Sequence, residues 1–208
     1  MPSDEPEEIV SARVLAVEGE EDRLFFDAFI KALGFPTVQV IAYNGKDKLR
    51  RFLRALVKMT TFDRVEHLGI TRDADDSAVN ATTSVRNAVS AADLPVPAQS
   101  CEPSAPKPRV SFIVVPPGAN SGMLEDLCSA SVADHPFSGS VAIFIESAGQ
   151  AGAIPKNLAK ARIQAFLAVQ EDPGKRLGEA AQAGYFPFAS AAFNDLRECL
   201  RRIFAETN

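Results

Sequence analysis

Residues 11–33 read SARVLAVEGEEDRLFFDAFIKAL, and this stretch decides the fold. Ser11–Val17 is a short β-rich run that ends at Glu18-Gly19. From Glu20 on, apolar residues recur at Leu24, Phe25, Ala28, Phe29, Ala32 and Leu33, the spacing of one helix face. Gly34-Phe35-Pro36 stops that helix. The same unit then repeats in kind. Thr37–Ala42 predicts a second strand, and Lys46–Met59 a helix with Leu49, Phe52, Leu53, Leu56 and Val57 inward. Val65–Arg72 (VEHLGITR) predicts a third strand that runs into Asp73-Ala74-Asp75-Asp76, and a helix follows over Ser77–Ala92. Strand and helix alternating in this way argue for a parallel sheet with crossover helices. The strand C-termini then share one edge, where open α/β sheets bind ligands.

Downstream, Leu94–Pro108 is a loop with five prolines, and Arg109–Val115 (RVSFIVV) a fourth strand. Pro116–Gly122 is a turn that offers a candidate phosphate cradle before a short helix over Met123–Val132, though it lacks the lysine of a P-loop. In Ser138–Ala148 the alternation of Val141, Ile143 and Ile145 suits a strand, and the apolar run equally suits a buried helix. Helices are expected over Ile154–Val169 and Ala189–Phe204. The division that follows is a disordered tail over 1–10, an α/β core over 11–150 and a helical C-terminal extension over 151–208 packed on the core.

Composition narrows the chemistry. The 208 residues carry a formal net charge of −5, 46% hydrophobic and 24% charged residues, so one globular unit is expected. Met1–Glu8 is acidic and has neither the basic nor the apolar segment of a signal peptide, and no apolar run is long enough to span a membrane. Cys101, Cys128 and Cys199 are odd in number and scattered, which predicts unpaired thiols in a reducing cytoplasm. With only His67 and His135 available, a metal would be held by oxygen, which favours Mg²⁺ or Mn²⁺.

Glu18 at the end of the first strand and Asp73 at the end of the third would meet on one sheet edge. Asp75, two residues on, projects to the same side if strand geometry persists. Asp22, one helical turn beyond Glu18, can face the same cavity. Carboxylates packed this closely raise one another's pKa unless a cation compensates. The competing reading is helix capping, since acidic residues suit helix N-termini.

Val17-Glu18-Gly19-Glu20-Glu21-Asp22, followed after a later strand by Asp73-Ala74-Asp75, resembles the topoisomerase–primase (Toprim) domain of topoisomerases, bacterial primases, recombination proteins and overcoming-lysogenization-defect nucleases. The chain is most similar to small stand-alone Toprim-like proteins. That likeness covers most of its length, including Ser121–Leu127 (SGMLEDL) and Lys160–Ala168 (KARIQAFLA). The resemblance implies a Toprim-like Rossmannoid parallel sheet of about four strands flanked by helices. It implies metal ligation by Glu18, Asp22, Asp73 and Asp75, with Glu18 also a general acid or base. Glu125 or Asp126 would supply a further acidic ligand, and Lys160 or Lys156 the lysine of the nuclease branch. For Glu125 and Asp126 the competing reading is capping, and for Lys160 a solvated charge.

The implied activity is Mg²⁺-dependent phosphodiester chemistry on DNA or RNA, of nuclease or nucleotidyl-transferase type. The alternatives are a non-catalytic Toprim fold serving as a nucleotide-binding or partner subunit, or a small-molecule enzyme on the same edge. Topoisomerase tyrosine, primase zinc ribbon and Walker motif all lack counterparts in the chain.

Overall fold

The computed structural model describes residues 7–35 and 37–204. Four strands, β1 (Arg13–Val17), β2 (Gln39–Ala42), β3 (His67–Asp73) and β4 (Arg109–Val115), form one sheet in the order β2-β1-β3-β4. Every pair is parallel, with Val17 opposite Ala42, Ala16 opposite Ile70 and Asp73 opposite Val115. Alternation along each strand divides the core between the two faces of the sheet. Val14 and Ala16 point to one side with Leu68, Ile70, Val110 and Phe112; Leu15 and Val17 point to the other with Ile113 and Val115.

The first face is covered by α2 (Leu49–Leu56) and α3 (Ala78–Ser90). The second is covered by α1 (Glu20–Ala32), α4 (Leu124–Ser131), α6 (Leu158–Leu167), α7 (Leu177–Gln182) and α8 (Asn194–Phe204). The protein is therefore a helix–sheet–helix sandwich, and its helical C-terminal part supplies much of one layer. Two glycines permit that closeness. A Cβ at Gly69 would stand 2.8 Å from Leu15 Cδ1 and 3.2 Å from Phe204, and one at Gly178 would stand 2.5 Å from the Glu21 carbonyl. Their absence lets α8 lie flat on the sheet and α7 press against α1.

Several expectations change. The ambiguous run is a helix, α5 (Ser138–Gln150), and none of its residues is buried. The helix expected over Ile154–Val169 is confined to Leu158–Leu167, opened by the Asn157 side chain accepting from the Lys160 N–H at 2.9 Å. Cys101 and Cys199 are not free thiols: they form a disulfide, with Cα atoms 4.9 Å apart, and only Cys128 is unpaired. The bridge ties the proline-rich loop to α8 across 98 residues of sequence, a closure worth about 4–5 kcal/mol on chain entropy. It also removes the ground on which a reducing compartment was expected.

Of the tail expected over 1–10, residues 1–6 lie outside the described residues; Ile9 is fully buried, and the Val10 N–H donates to Gln39 Oε1 at 2.8 Å. No helix among the described residues is long and apolar enough to cross a membrane.

Candidate functional site

In the strand order 2-1-3-4 the chain first steps outward from β1 to β2 and then returns to β3 on the other side of β1. The crevice between the ends of β1 and β3 is the switch point of such a sheet, the place where a ligand meets diverging loops and helix N-termini. Glu18 leaves β1 there and Asp73 closes β3. A cleft of about 800 Å³ opens over them, lined by Glu18, Asp22, Asp73, Glu125 and Lys160 and walled on the far side by residues 173–177.

Local structure explains each position. Gly19 caps α1 in an extended conformation, and its N–H donates to Asp22 Oδ2 at 2.8 Å. The Asp22 side chain that closes the helix start also lines the cleft. At the start of α4 the Met123 N–H donates to Asp126 Oδ2 at 2.9 Å, which makes Asp126 the cap and leaves Glu125 to face the cleft. The Leu124 N–H donates to Asp73 Oδ1 at 3.2 Å and joins α4 to the end of β3. Lys160, in the first turn of α6, places Nζ 3.7 Å from Glu125 Oε1. Its side chain is 60% exposed against 16% for Glu125, so the acids form the floor and the lysine the rim.

The electrostatics follow from that burial. Loss of solvent, with the charges of Asp22, Glu125 and Glu18 added, pushes Asp73 up to about 8. Loss of solvent likewise pushes Asp22 up to about 7, against the Gly19 N–H and with Glu125 and Glu18 adding to the rise. Glu125 is raised for the same first reason, with Lys160 opposing. Without a compensating cation the floor therefore keeps protons at Asp73 and Asp22 near neutral pH.

Asp75 is placed differently. β3 ends at Asp73, and Asp75 takes a left-handed backbone (φ 48°) that bridges to Gly122, whose N–H donates to the Asp75 carbonyl at 2.8 Å. Strand geometry does not persist, so the side chain turns away from the cleft floor into a neighbouring groove with Lys46 and Ser77. There Asp75 Oδ2 accepts from Arg72 Nη2 at 3.1 Å and from Lys46 Nζ at 3.3 Å. Burial raises its pKa, but these two cations outweigh burial and hold it below the usual carboxylate range.

Arg72 was not anticipated as a site residue. It is almost fully buried at 7% exposure, and its Nη1 donates to Glu18 Oε2 at 2.7 Å, so one guanidinium bridges Glu18 and Asp75. A charged residue closing an apolar strand was the available signal. Lys156 does not line the cleft, whereas Glu21 and Arg176 do. The Gly178 N–H donates to Glu21 Oε2 at 2.9 Å, locking α7 to the start of α1. The Gly118–Gly122 turn uses its backbone on the Asp73–Asp76 turn, with the Ala78 N–H donating to the Asn120 carbonyl at 2.8 Å.

A family model described as "Protein of unknown function (DUF3226)" matches residues 12–205. The chain belongs to that family. Among curated proteins none matches the sequence. Among solved structures, this DUF3226 member is similar to the C-terminal region of the Xanthomonas campestris pv. campestris OLD protein. Identity there is 13% and the TM-score 0.49, over 95% of this chain and 98% of that one. It is also similar to the C-terminal region of the Burkholderia pseudomallei OLD protein, at 15% identity and TM-score 0.47, over 95% of this chain and 100% of that one.

Proposed function

We propose that the cleft at the switch point is a Toprim-type divalent-metal site that serves phosphodiester chemistry on nucleic acid. The observation that carries the proposal is convergence: Glu18, Asp22, Asp73 and Glu125 come from two adjacent strand ends and two helix N-termini to line one open cleft. The donor set is all oxygen, which suits Mg²⁺ or Mn²⁺ in kind. Among the described residues, no three His, Cys, Asp or Glu side chains stand gathered as a ready ligand set. Each acid is instead taken by a nearby donor: Glu18 by Arg72, Asp22 by the Gly19 N–H, Asp73 by the Leu124 N–H and Glu125 by Lys160. Glu18, Asp22 and Asp73 each use one carboxylate oxygen on that donor, which leaves the other oxygen for a cation while the helix starts stay capped.

A divalent ion in such a site supplies Lewis-acid stabilisation of charge on a phosphate and lowers the pKa of water. The chain's own residues have separate tasks. Asp22, Asp73 and Glu125 supply the negative floor. Lys160 and Arg176, exposed on the rim, attract and orient a phosphate and neutralise charge developing on it. Glu18, once parted from Arg72, is the group that takes or gives a proton at the reacting oxygen. Asp75 acts through Arg72, fixing the guanidinium that positions Glu18. The cleft is open and charged, which speaks against a small-molecule enzyme built on a deep apolar pocket.

The scattered carboxylates and the Arg72–Glu18 pair favour one second reading, a non-catalytic Toprim-fold subunit that binds a nucleotide or a protein partner. A calorimetric Mn²⁺ titration, paired with cleavage assays on single- and double-stranded DNA and on RNA, separates the two. On the leading reading, wild type binds Mn²⁺ and cleaves, and Asp73→Ala/Asp75→Ala does neither. Metal binding that survives the double substitution sinks the site assignment. Metal binding without cleavage of any substrate establishes the second reading instead.

A further inference from the structure

Helix α5 is at odds with its surroundings. Its thirteen residues, SGSVAIFIESAGQ, contain one charge, Glu146, and no basic residue, yet none is buried. A helix of this length is marginal in water, and this one carries two glycines and three β-branched residues without i,i+4 ion pairs to support it. Large apolar side chains clustered and exposed on a helix and its neighbour are normally covered. Six of the nine exposed large hydrophobic side chains among the described residues fall between 137 and 169, among them Ile143 at 67%, Phe144 at 62% and Ile154 at 83%. Beside them a groove of about 510 Å³ runs between α5 and α6, lined by Val141, Phe144, Ala165, Ala168 and Val169.

We infer that this face is the homodimer interface, covered by α5 and α6 of a second copy of the chain. Three features favour a second copy over other occupants. The first is area. Side chains of this size present roughly 150–200 Å² each when whole, so the six expose on the order of 600 Å² per copy, close to the ~800 Å² per partner of a stable interface. The second is shape. Projecting side chains and a groove of matching apolar character lie on the same patch, as a two-fold contact requires.

The third is charge. Glu146 on α5 has only a 3.4 Å hydrogen bond from Gln150, and Arg162 on α6, which lies beside Ala142, has no carboxylate partner among the described residues. One acid left over on α5 and one base left over on the adjoining α6 can pair across a two-fold, each meeting its opposite on the other copy. A membrane-surface helix would instead carry Lys and Arg along its polar side, and α5 has neither. Pairing through α5 also braces α6, which carries Lys160 into the cleft.

Sedimentation velocity and light scattering on the full chain across the micromolar range test this. Wild type is a dimer and Phe144→Asp a monomer, with unchanged circular dichroism because the side chain is exposed. Glu146→Arg and Arg162→Glu each weaken the dimer by about tenfold or more, and the doubly reversed chain regains wild-type association. A wild type that stays monomeric, or a dimer indifferent to both Phe144→Asp and the single reversals, overturns the assignment. So does a monomer that floats with anionic phosphatidylserine vesicles, which makes the face a lipid contact. Failure of the double reversal to restore association overturns the two-fold pairing.

Discussion

Asp73 and Asp75 stand two residues apart and live in opposite electrostatic worlds. Asp73 ends a strand over a floor of other carboxylates, and burial with their repulsion pushes it up to about 8. Asp75 lies past the strand end, where Arg72 and Lys46 hold it below the ordinary range. One residue's backbone angle, φ 48° at Asp75, separates them. The lesson is that a DxD pattern in sequence does not amount to a pair of equivalent ligands. It supplies one carboxylate in need of a cation and one that already has two.

The comparison is broken or sharpened most by single substitutions at the two positions. Asp73→Asn is expected to weaken Mn²⁺ binding at least 100-fold by calorimetry, since it removes a carboxylate from the floor. Asp75→Asn acts only through Arg72 and is expected to cost about 10-fold, in the range of an outer-sphere change. Equal losses at both positions would mean that Asp75 swings into the cleft when a cation is bound, and the distinction drawn between them would fail.

Next in size is Arg72→Met. The guanidinium holds Glu18 at 2.7 Å and Asp75 at 3.1 Å from a nearly buried position. Losing hydrogen bonds to two charged groups is expected to cost about 1–3 kcal/mol, tempered because Glu18 and Asp75 remain partly exposed. In a chain of this size that lowers the melting temperature by roughly 3–10 °C. Mn²⁺ sharpens the test. If a cation takes over Glu18, the variant recovers part of its loss when Mn²⁺ is added; a loss that is the same with and without the ion shows that Glu18 stays with Asp75's group and outside the metal site.

Much of this arrangement is legible in the sequence. The alternation of β-rich runs with helically spaced segments gives the parallel sheet, and strand ends give the placing of Glu18 and Asp73 on one edge. Asp22, Glu125 and Lys160 line the same cleft, at positions that the Toprim resemblance singles out. What escaped has physical reasons. Asp75 sits in a left-handed turn that aspartate tolerates, so its identity alone does not report the change of direction. Arg72 shows its role only once Glu18, from the end of β1, lies beside it in the fold. Helix α7, at six residues, is too short to show a period, although it sets the wall of the cleft through Gly178. The Cys101–Cys199 bridge joins a loop to the last helix, and no local spacing marks such a pair.

The smallest effect expected is on stability against pH, and there the two aspartates have opposite signs. Asp73 and Asp22 have native pKa values raised to about 8 and about 7 from an ordinary 3.8, so between pH 4 and 8 the folded chain holds protons that the unfolded chain has released. Stability from these groups is therefore complete below about pH 4 and is lost as pH rises through 7 and 8. Asp75 is depressed, so its contribution is present above the ordinary carboxylate range and is lost as acid is added. Between pH 5 and 8, urea unfolding of the metal-free chain is thus expected to show a fall of about 1–2 kcal/mol, well under the full shift because the cleft is open to water. Asp73→Asn flattens that slope and Asp75→Asn leaves it. Saturating Mn²⁺ should also erase it, because a cation that binds only the ionised, folded form returns stability at high pH. A slope unchanged by both Asp73→Asn and Mn²⁺ would show that the floor's charge is dispersed into solvent, and that Asp73 differs from Asp75 in direction alone.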